Sequence, residues 1–457
     1  MKELQGVKVK QSEINHNLLT ITYLHKYFTL FHLISRTTSM TQNNLSTVTQ
    51  PIDYEALPLH FHQAPVLIQT LVKQLPDCWQ QTAALALLPA LSVACGKICY
   101  GADNKPLAFH VALYGRNGTG KSQFSCKPAR VVQNYLARYD DQNFDTDNKS
   151  SQSPRVLGFQ ISTVQLCKYL RKSPKETVML YTDEISQSVG NERSSNSFMQ
   201  LHDLLRSAYD GIEYRQSYKD KDSFRGVIYP RLSFLACGTP NSIFTYFNAK
   251  AIESGTTRRV IFVEHPRYEH IINDVAYSEE QLEMIQQEVE WLEMQSGKVH
   301  LQAIEDAVLK WREEKLASID PKDEVKRDMV NTPYDTFRRA AYLAWVMNHY
   351  QDAEKAIVFG AWVAEYMFRA ALFHTYPQQQ AIAQDGQKHF AASTQTIFAD
   401  FNQTMLDKLP QQFEWQDVVA YRKQNHYSGE IQSRVILTRW KNRGKIKQIK
   451  RNTFIKL

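Results

Sequence analysis

Residues 115–122 read GRNGTGKS and follow directly on the apolar run FHVALY at 109–114. The octapeptide satisfies G-x-x-x-x-G-K-S at each fixed position. It stands between an apolar run and a helical pattern, roughly SQFSCKPARVVQNYL, which is the strand-loop-helix setting that gives the motif meaning. Gly115, Gly118 and Gly120 permit backbone conformations that a Cβ would oppose. Successive N–H groups through Arg116, Asn117 and Thr119 can then converge on an anion. The helix that follows is expected to aim the positive end of its dipole at the same point. Lys121 is placed to reach the β- and γ-phosphates of a nucleotide, and the Ser122 hydroxyl to coordinate Mg²⁺. The expected cofactors are ATP and Mg²⁺, with GTP as the rival nucleotide.

A phosphate loop after a strand asks for more strands of the same kind, and the sequence supplies them. Short apolar runs recur at RVLGFQI (155–161), TVMLYT (177–182), LSFLAC (232–237) and RVIFVE (259–264), separated by helical and polar stretches. With FHVALY they predict five buried strands alternating with helices, hence an α/β fold with a parallel sheet covered on both faces. Residues 58–104 form a helical preface to a core at 105–265. Helical patterns at 266–376 predict a lid, and the Gln-rich stretch 377–395 a linker to a last unit, 396–457.

At 457 residues, 43% hydrophobic and 22% charged, the chain has the composition of two or three globular domains. Its six cysteines show no CxxC or zinc spacing, which suits reduced thiols and a cytoplasmic location. No membrane span is expected, because the most apolar candidate, LLTITYLHKYFTLFHLIS, is broken by His25, Lys26 and His32. Residues 1–57 are expected to be a flexible extension. Met40 leaves open whether residues 1–39 precede the true start or form a loosely helical tail.

The third run ends TDEIS, so Asp183 and Glu184 stand at the carboxyl end of a strand. One carboxylate there can hold the magnesium shell while its neighbour polarises an attacking water. The fourth run ends ACGTPNS, which makes Thr239 or Asn241 able to sense the γ-phosphate, or else an ordinary turn. Before the fifth run, SGTTRR carries Arg258 and Arg259; either could stabilise transition-state charge on a neighbouring subunit, or pair locally.

The ordered series of phosphate loop, TVMLYTDE, LLRSAYDGIEYRQ, YPRLSFLACGTPN and SGTTRRVIFVEHP resembles the domain-of-unknown-function P-loop family found beside primases and helicases in bacteria and mobile elements. That family looks like a relative of the AAA+ helicases, and the resemblance covers roughly residues 62–375. It implies an AAA+-like core in which Arg259 is a trans-acting arginine finger, Thr239 sensor one, and Arg339 of FRRAAYLAWVM the lid arginine that closes on the γ-phosphate. Two departures keep alternatives open. Thr256, Thr257 and Arg258 stand where the family prefers apolar residues, and relatives often carry Asn at sensor one, which leaves Arg258 and Asn241 as rivals. Between the acidic pair and the fourth strand, DGIEYRQSYKDKDSFRGVIYP predicts a hairpin. Tyr214, Arg215, Lys219, Lys221 and Arg225 give it the aromatic and basic mixture that suits single-stranded DNA, though Asp220 and Asp222 also suit a plain exposed loop.

The net charge of +7 is local. Residues 434–457 carry Arg434, Arg439, Lys441, Arg443, Lys445, Lys447, Lys450, Arg451 and Lys456 without one Asp or Glu, and the rest of the chain has 45 Lys and Arg against 47 Asp and Glu. A helix over about 414–425, a second capped by Ser428 and stopped by Gly444, and a hairpin of KIKQIK and TFIKL form a winged-helix pattern. Such a unit would lay its second helix in a DNA groove, or serve protein contact instead. The function expected is an ATP-dependent DNA-acting NTPase of a mobile element, working as helicase, initiator or helicase loader. It is expected to form a homo-oligomeric ring with any primase on a separate chain. A regulatory or defence NTPase without unwinding is the alternative, and a RecA-like ATPase is disfavoured by the adjacent Asp-Glu pair, the strand count and the trailing helices.

Overall fold

The computed structural model describes residues 63–144, 152–186, 195–217, 224–266, 274–381, 383, 405–424, 430–442 and 444–457. The predicted extension 1–57, Lys219, Lys221, Ser428, Arg443 and most of the predicted linker lie outside them, as does the side chain of Arg439. The chain divides into two units, Met1–Gln378 and Gln379–Leu457.

The first unit opens with α1 (Val66–Val72) and α2 (Asp77–Ala94), each started by a proline, Pro65 and Pro76, whose fixed φ suits a helix entry. From Thr82 to Ala94, α2 is buried on every side, as a helix apolar all round must be. It lies on the sheet, where the Ser92 hydroxyl meets that of Ser233 at 2.7 Å. The short strands β1 (Ile98–Tyr100) and β2 (Lys105–Pro106) follow, where the sequence pattern still reads helix at 98–99.

Next come β3 (His110–Tyr114), α3 (Lys127–Leu136), α4 (Asp140–Phe144), β4 (Val156–Gly158), α5 (Thr163–Lys172) and β5 (Val178–Thr182). They are followed by α6 (Ser195–Asp210), the antiparallel hairpin β6 (Tyr214–Ser217) and β7 (Arg225–Ile228), β8 (Leu232–Gly238), α7 (Pro240–Tyr246), α8 (Ala249–Glu253) and β9 (Ile261–Glu264). The five predicted strands are β3, β4, β5, β8 and β9. They form one all-parallel sheet in the order β4-β5-β8-β3-β9. Both faces are covered, so β3 and β8 are buried at every residue and read as continuous apolar runs.

Helix α3 corrects one expectation. The helix predicted to begin at Ser122 begins at Lys127, and residues 121–126 are turns. Phe124 N–H bonds Gly120 O at 2.8 Å, but the next donor, Cys126 N–H, reaches back to Lys121 O at 3.0 Å, so the regular ladder is not yet established. Pro128, with no N–H, sits in the first turn of α3, where that loss is harmless.

The remainder of the unit is α9 (Glu279–Met294), β10 (Gly297–Val299), α10 (Gln302–Ala317), α11 (Glu324–Asp328), α12 (Asn331–Met347) and α13 (Ala353–His374). Strand β10 adds parallel to β1, which also pairs antiparallel with β2. That small sheet ties the helical region to the chain ahead of the core. Helices α12 and α13 meet at Gly360, where a Cβ would lie 2.7 Å from that of Ala341. Among the described residues α13 is the one helix long and apolar enough to cross a membrane, and 67% of its most apolar stretch is buried within the fold.

The second unit has β11 (Gln412–Glu414), α14 (Trp415–Gln424), α15 (Glu430–Asn442), β12 (Ile446–Lys450) and β13 (Thr453–Lys456). Its three strands pair antiparallel in the order β11-β13-β12 around a separate core that includes Phe413, Ile436, Trp440 and Phe454. Gly444, at φ 67°, ends α15: Gly444 N–H bonds Lys441 O at 3.1 Å and Lys445 N–H bonds Trp440 O at 2.9 Å.

Candidate nucleotide site

Loop 115–122 leaves the carboxyl end of β3 and hangs on the strand beside it, with Gly115 N–H donating to Gly238 O at 3.2 Å. Gly118 and Gly120 hold φ of 76° and 80°, in the region that a Cβ disfavours. At Gly120 a Cβ would also stand 2.5 Å from the Phe124 ring. Arg116, Asn117 and Gly118 are exposed, Thr119, Gly120 and Ser122 are half-buried, and the Thr119 hydroxyl closes the turn onto Arg116 O at 2.8 Å. Lys121 is only 8% exposed and makes no ion pair among the described residues. A lysine so enclosed and without an ion pair suits a site at which a bound anion supplies the negative charge.

A support under the loop escaped the sequence reading. His265 Nε2 lies 2.8 Å from Thr119 O and Nδ1 lies 2.9 Å from Ser125 Oγ. A carbonyl only accepts, so Nε2 carries the proton and the Ser125 hydroxyl donates to Nδ1. Burial, with Lys121 nearby, lowers this histidine to about 4. Trp79 packs on both Phe124 and His265, at ring distances of 5.1 and 4.6 Å. The only sequence signal was the HP dipeptide after the fifth apolar run, and Trp79 lies 186 positions away from it in the chain.

The acidic pair continues β5. Ile185 N–H bonds Cys237 O at 2.8 Å, which holds residues 183–184 alongside β8. Since β8 lies between β5 and β3, the backbone at 183–184 stands two strand spacings from the loop, about 10 Å, at the same end of the strands. Glu184 Oε1 reaches over β8 to within 3.3 Å of where a Cβ on Gly238 would stand. Asp183 accepts from Arg130 Nη2 at 2.7 Å and from the Tyr181 hydroxyl at 2.5 Å. Glu184 Oε1 accepts from Ser242 Oγ at 3.0 Å.

Thr239 is the N-cap of α7. Its hydroxyl accepts from Ser242 N–H at 3.2 Å while Ser242 Oγ takes Thr239 N–H at 2.9 Å, a reciprocal capping box. Asn241, in the first turn, is exposed. Ser242, absent from the sequence reading, therefore links the acidic pair to this turn. Gly238 makes room for it, because a Cβ there would sit 2.5 Å from Ser242 Oγ.

The arginines divide differently from expectation. Arg259 donates Nε and Nη2 to the two carboxylate oxygens of Asp210 at 2.9 and 2.7 Å, and Nη1 to Gly255 O at 2.7 Å. Arg258, half-buried beside it, makes no ion pair among the described residues. Both precede β9, whose Ile261 pairs with Val111, so they lie toward the amino ends of the strands, away from the loop of their own chain.

Arg339 is not a lid arginine over this loop. It is fully buried and bonds the Tyr100 hydroxyl at 2.8 Å, Ala108 O at 3.1 Å, Asp335 at 2.7 Å and Tyr209 O, with its guanidinium 3.6 Å over the Tyr209 ring. Ala108 precedes β3 and Gly115 follows it, so the guanidinium lies roughly 20 Å from the loop by strand rise. Periodicity placed Arg339 on a helix but could not say which end of the sheet that helix covers.

Hairpin β6–β7 forms where expected, with Lys219 and Lys221 outside the described residues. Tyr214 is corrected: it is buried, and its hydroxyl accepts from Gln216 at 2.6 Å. Arg215 is exposed and grips Glu213 at 2.7 and 2.9 Å. The exposed apolar side chains are instead Ile212, Val227 and Tyr229.

In the second unit, Arg434, Lys441, Lys447, Lys450 and Arg451 are exposed and Lys445 is half-buried. The Arg434 guanidinium lies 4.9 Å from the Trp415 ring, and Lys456 donates to Asp407 O at 3.0 Å. No protein-family model matches the chain, and no curated protein matches it.

Proposed function

We propose that this chain is an ATP-dependent, DNA-acting NTPase of AAA+ type, serving a mobile element as helicase, initiator or helicase loader. The observation that carries the nucleotide reading is Lys121, buried without an ion-pair partner among the described residues. It lies under a loop with two left-handed glycines, at the same end of the strands as Asp183 and Glu184. ATP and Mg²⁺ suit these groups: loop N–H groups and Lys121 for the phosphates, Ser122 and Asp183 for the metal. Bound magnesium would neutralise charge on the phosphates. Glu184, held by Ser242, is the carboxylate available to orient a water.

Assembly as a ring is part of the proposal, since Arg258 and Arg259 lie toward the amino ends of the strands, away from the loop of their own chain. Arg258 is favoured over Arg259 as the residue offered to a neighbouring subunit, because Arg259 is already spent on Asp210. For DNA, support comes from the second unit, read as a winged helix whose α15 and β12–β13 hairpin present the exposed cations. Any primase would act from a separate chain.

An ATPase assay with and without single-stranded and duplex DNA, on protein sized by light scattering, tests the reading. DNA-stimulated turnover by an oligomer is expected. Hydrolysis indifferent to DNA would favour the regulatory or defence alternative, and no hydrolysis or nucleotide binding would overturn the assignment.

A further inference from the structure

We propose that Arg130 is a built-in counter-ion for Asp183 that opposes magnesium, so that the chain itself competes with the metal for the charge of this carboxylate. This rests on the nucleotide-site reading above and adds a residue to it. Arg130 projects from α3, the helix that follows the loop. Its Nη2 donates to Asp183 Oδ1 at 2.7 Å and its Nε to the Tyr181 hydroxyl at 3.1 Å, while that hydroxyl donates to the same Oδ1 at 2.5 Å. The donors thus form a chain, guanidinium to phenol to carboxylate, that ends on one oxygen.

Oδ1, so occupied, takes a metal ion only when a donor leaves, and a metal ion on Oδ2 would meet the guanidinium's positive charge across the same carboxylate. The guanidinium is the one that can go. The Arg130 and Asp183 side chains are 38% and 53% exposed, so separating them strands no buried charge. Tyr181 is held by the sheet through its pairing with Leu235 and stays to orient Asp183 after Arg130 departs. A pair maintained only for stability gains little at this exposure. A pair that sets the metal concentration at which the site fills has an effect at any exposure.

The test is a magnesium titration of the full chain with a fluorescent ATP analogue, read as analogue affinity from EDTA through millimolar Mg²⁺. Arg130→Met keeps the aliphatic stem and removes the charge, and Arg130→Gln is a second neutral variant should the first fail to fold. The half-saturating Mg²⁺ concentration is expected to fall about three- to fivefold in either neutral variant, the range an exposed ion pair allows. Arg130→Lys should stay near the wild type, and affinity in EDTA should not change. An unchanged or increased magnesium requirement in both neutral variants would mean that Arg130 positions Asp183 without competing, and overturns the proposal. Failure of the wild type to bind the analogue, or binding indifferent to Lys121→Ala, would instead overturn the nucleotide reading beneath it.

Discussion

Lys121 and Arg339 are both buried cations, and their surroundings give them opposite meanings. Arg339 is saturated by Asp335, Tyr100 and two carbonyls, so it is a tie between α12, the segment before β3 and the end of α6. Replacing it by Ala removes the guanidinium from two carbonyls and from Asp335, which keeps only the Tyr100 hydroxyl and the looser Lys105 pair. Denaturant unfolding should show a loss of about 3–5 kcal/mol, and a loss under 1 kcal/mol would refute the structural role. Lys121→Ala should do the reverse, sparing stability while ATP hydrolysis falls below detection. Among the arginines before β9, Arg258→Ala is expected to retain nucleotide binding and lose turnover, whereas Arg259→Ala should lower the melting temperature by releasing Asp210. Normal turnover in Arg258→Ala would exclude it as the trans-acting residue. Cys126 and Cys237, with sulfurs 3.2 Å apart, are buried beside this site, and their contact and burial hold the Cys237 thiol protonated. These residue roles depend on which side chains meet across the fold, a fact no local spacing contains.

At the scale of elements, strands and hairpins were legible because burial leaves a periodic trace. The five apolar runs became five parallel strands, and the KIKQIK and TFIKL runs became β12 and β13. Helix α3 begins at Lys127, five residues after Ser122, with Pro128 in its first turn. Strands β1, β2 and β10 escaped because two or three residues carry no period, and β1 pairs with a segment almost two hundred residues away. Gly444 was legible as a stop, and its φ of 67° supplies the reason. Gly444→Ala is expected to cost the second unit roughly 1 kcal/mol, measurable as a lower unfolding midpoint. On the β6–β7 hairpin the aromatic and basic composition assigns no face, so it points to Tyr214, which is buried, where Tyr229 is exposed. If the hairpin touches single-stranded DNA, Tyr229→Ala should weaken DNA stimulation of the ATPase and Tyr214→Phe should not.

For the molecule as a whole, the buried histidines set the response to acid. Burial lowers His110 to about 3 and His202, His265 and His374 to about 4. Each is neutral in the fold, while the unfolded chain takes up protons below about pH 6.5. Stability is therefore full above that value and is lost as pH falls from 6.5 toward 4. Melting temperatures measured across that window should fall steadily, and a flat profile would contradict these burials. The charge segregation makes a second whole-molecule expectation. With about six phosphates neutralised by the basic unit, log DNA affinity should fall with log salt at a slope near −5, and a flat response would remove DNA as its partner. The sequence by itself determined the α/β class, the loop and its glycines, the acidic pair at a strand end and the basic C-terminal block, because backbone preference, hydrophobic period and net charge are local sums. Only the tertiary structure decided that β8 separates the loop from the acidic strand, that His265 and Trp79 brace the loop, that Arg339 lies at the far end of the sheet, and that Arg130 holds Asp183. Those are contacts between distant segments, fixed by strand order and packing.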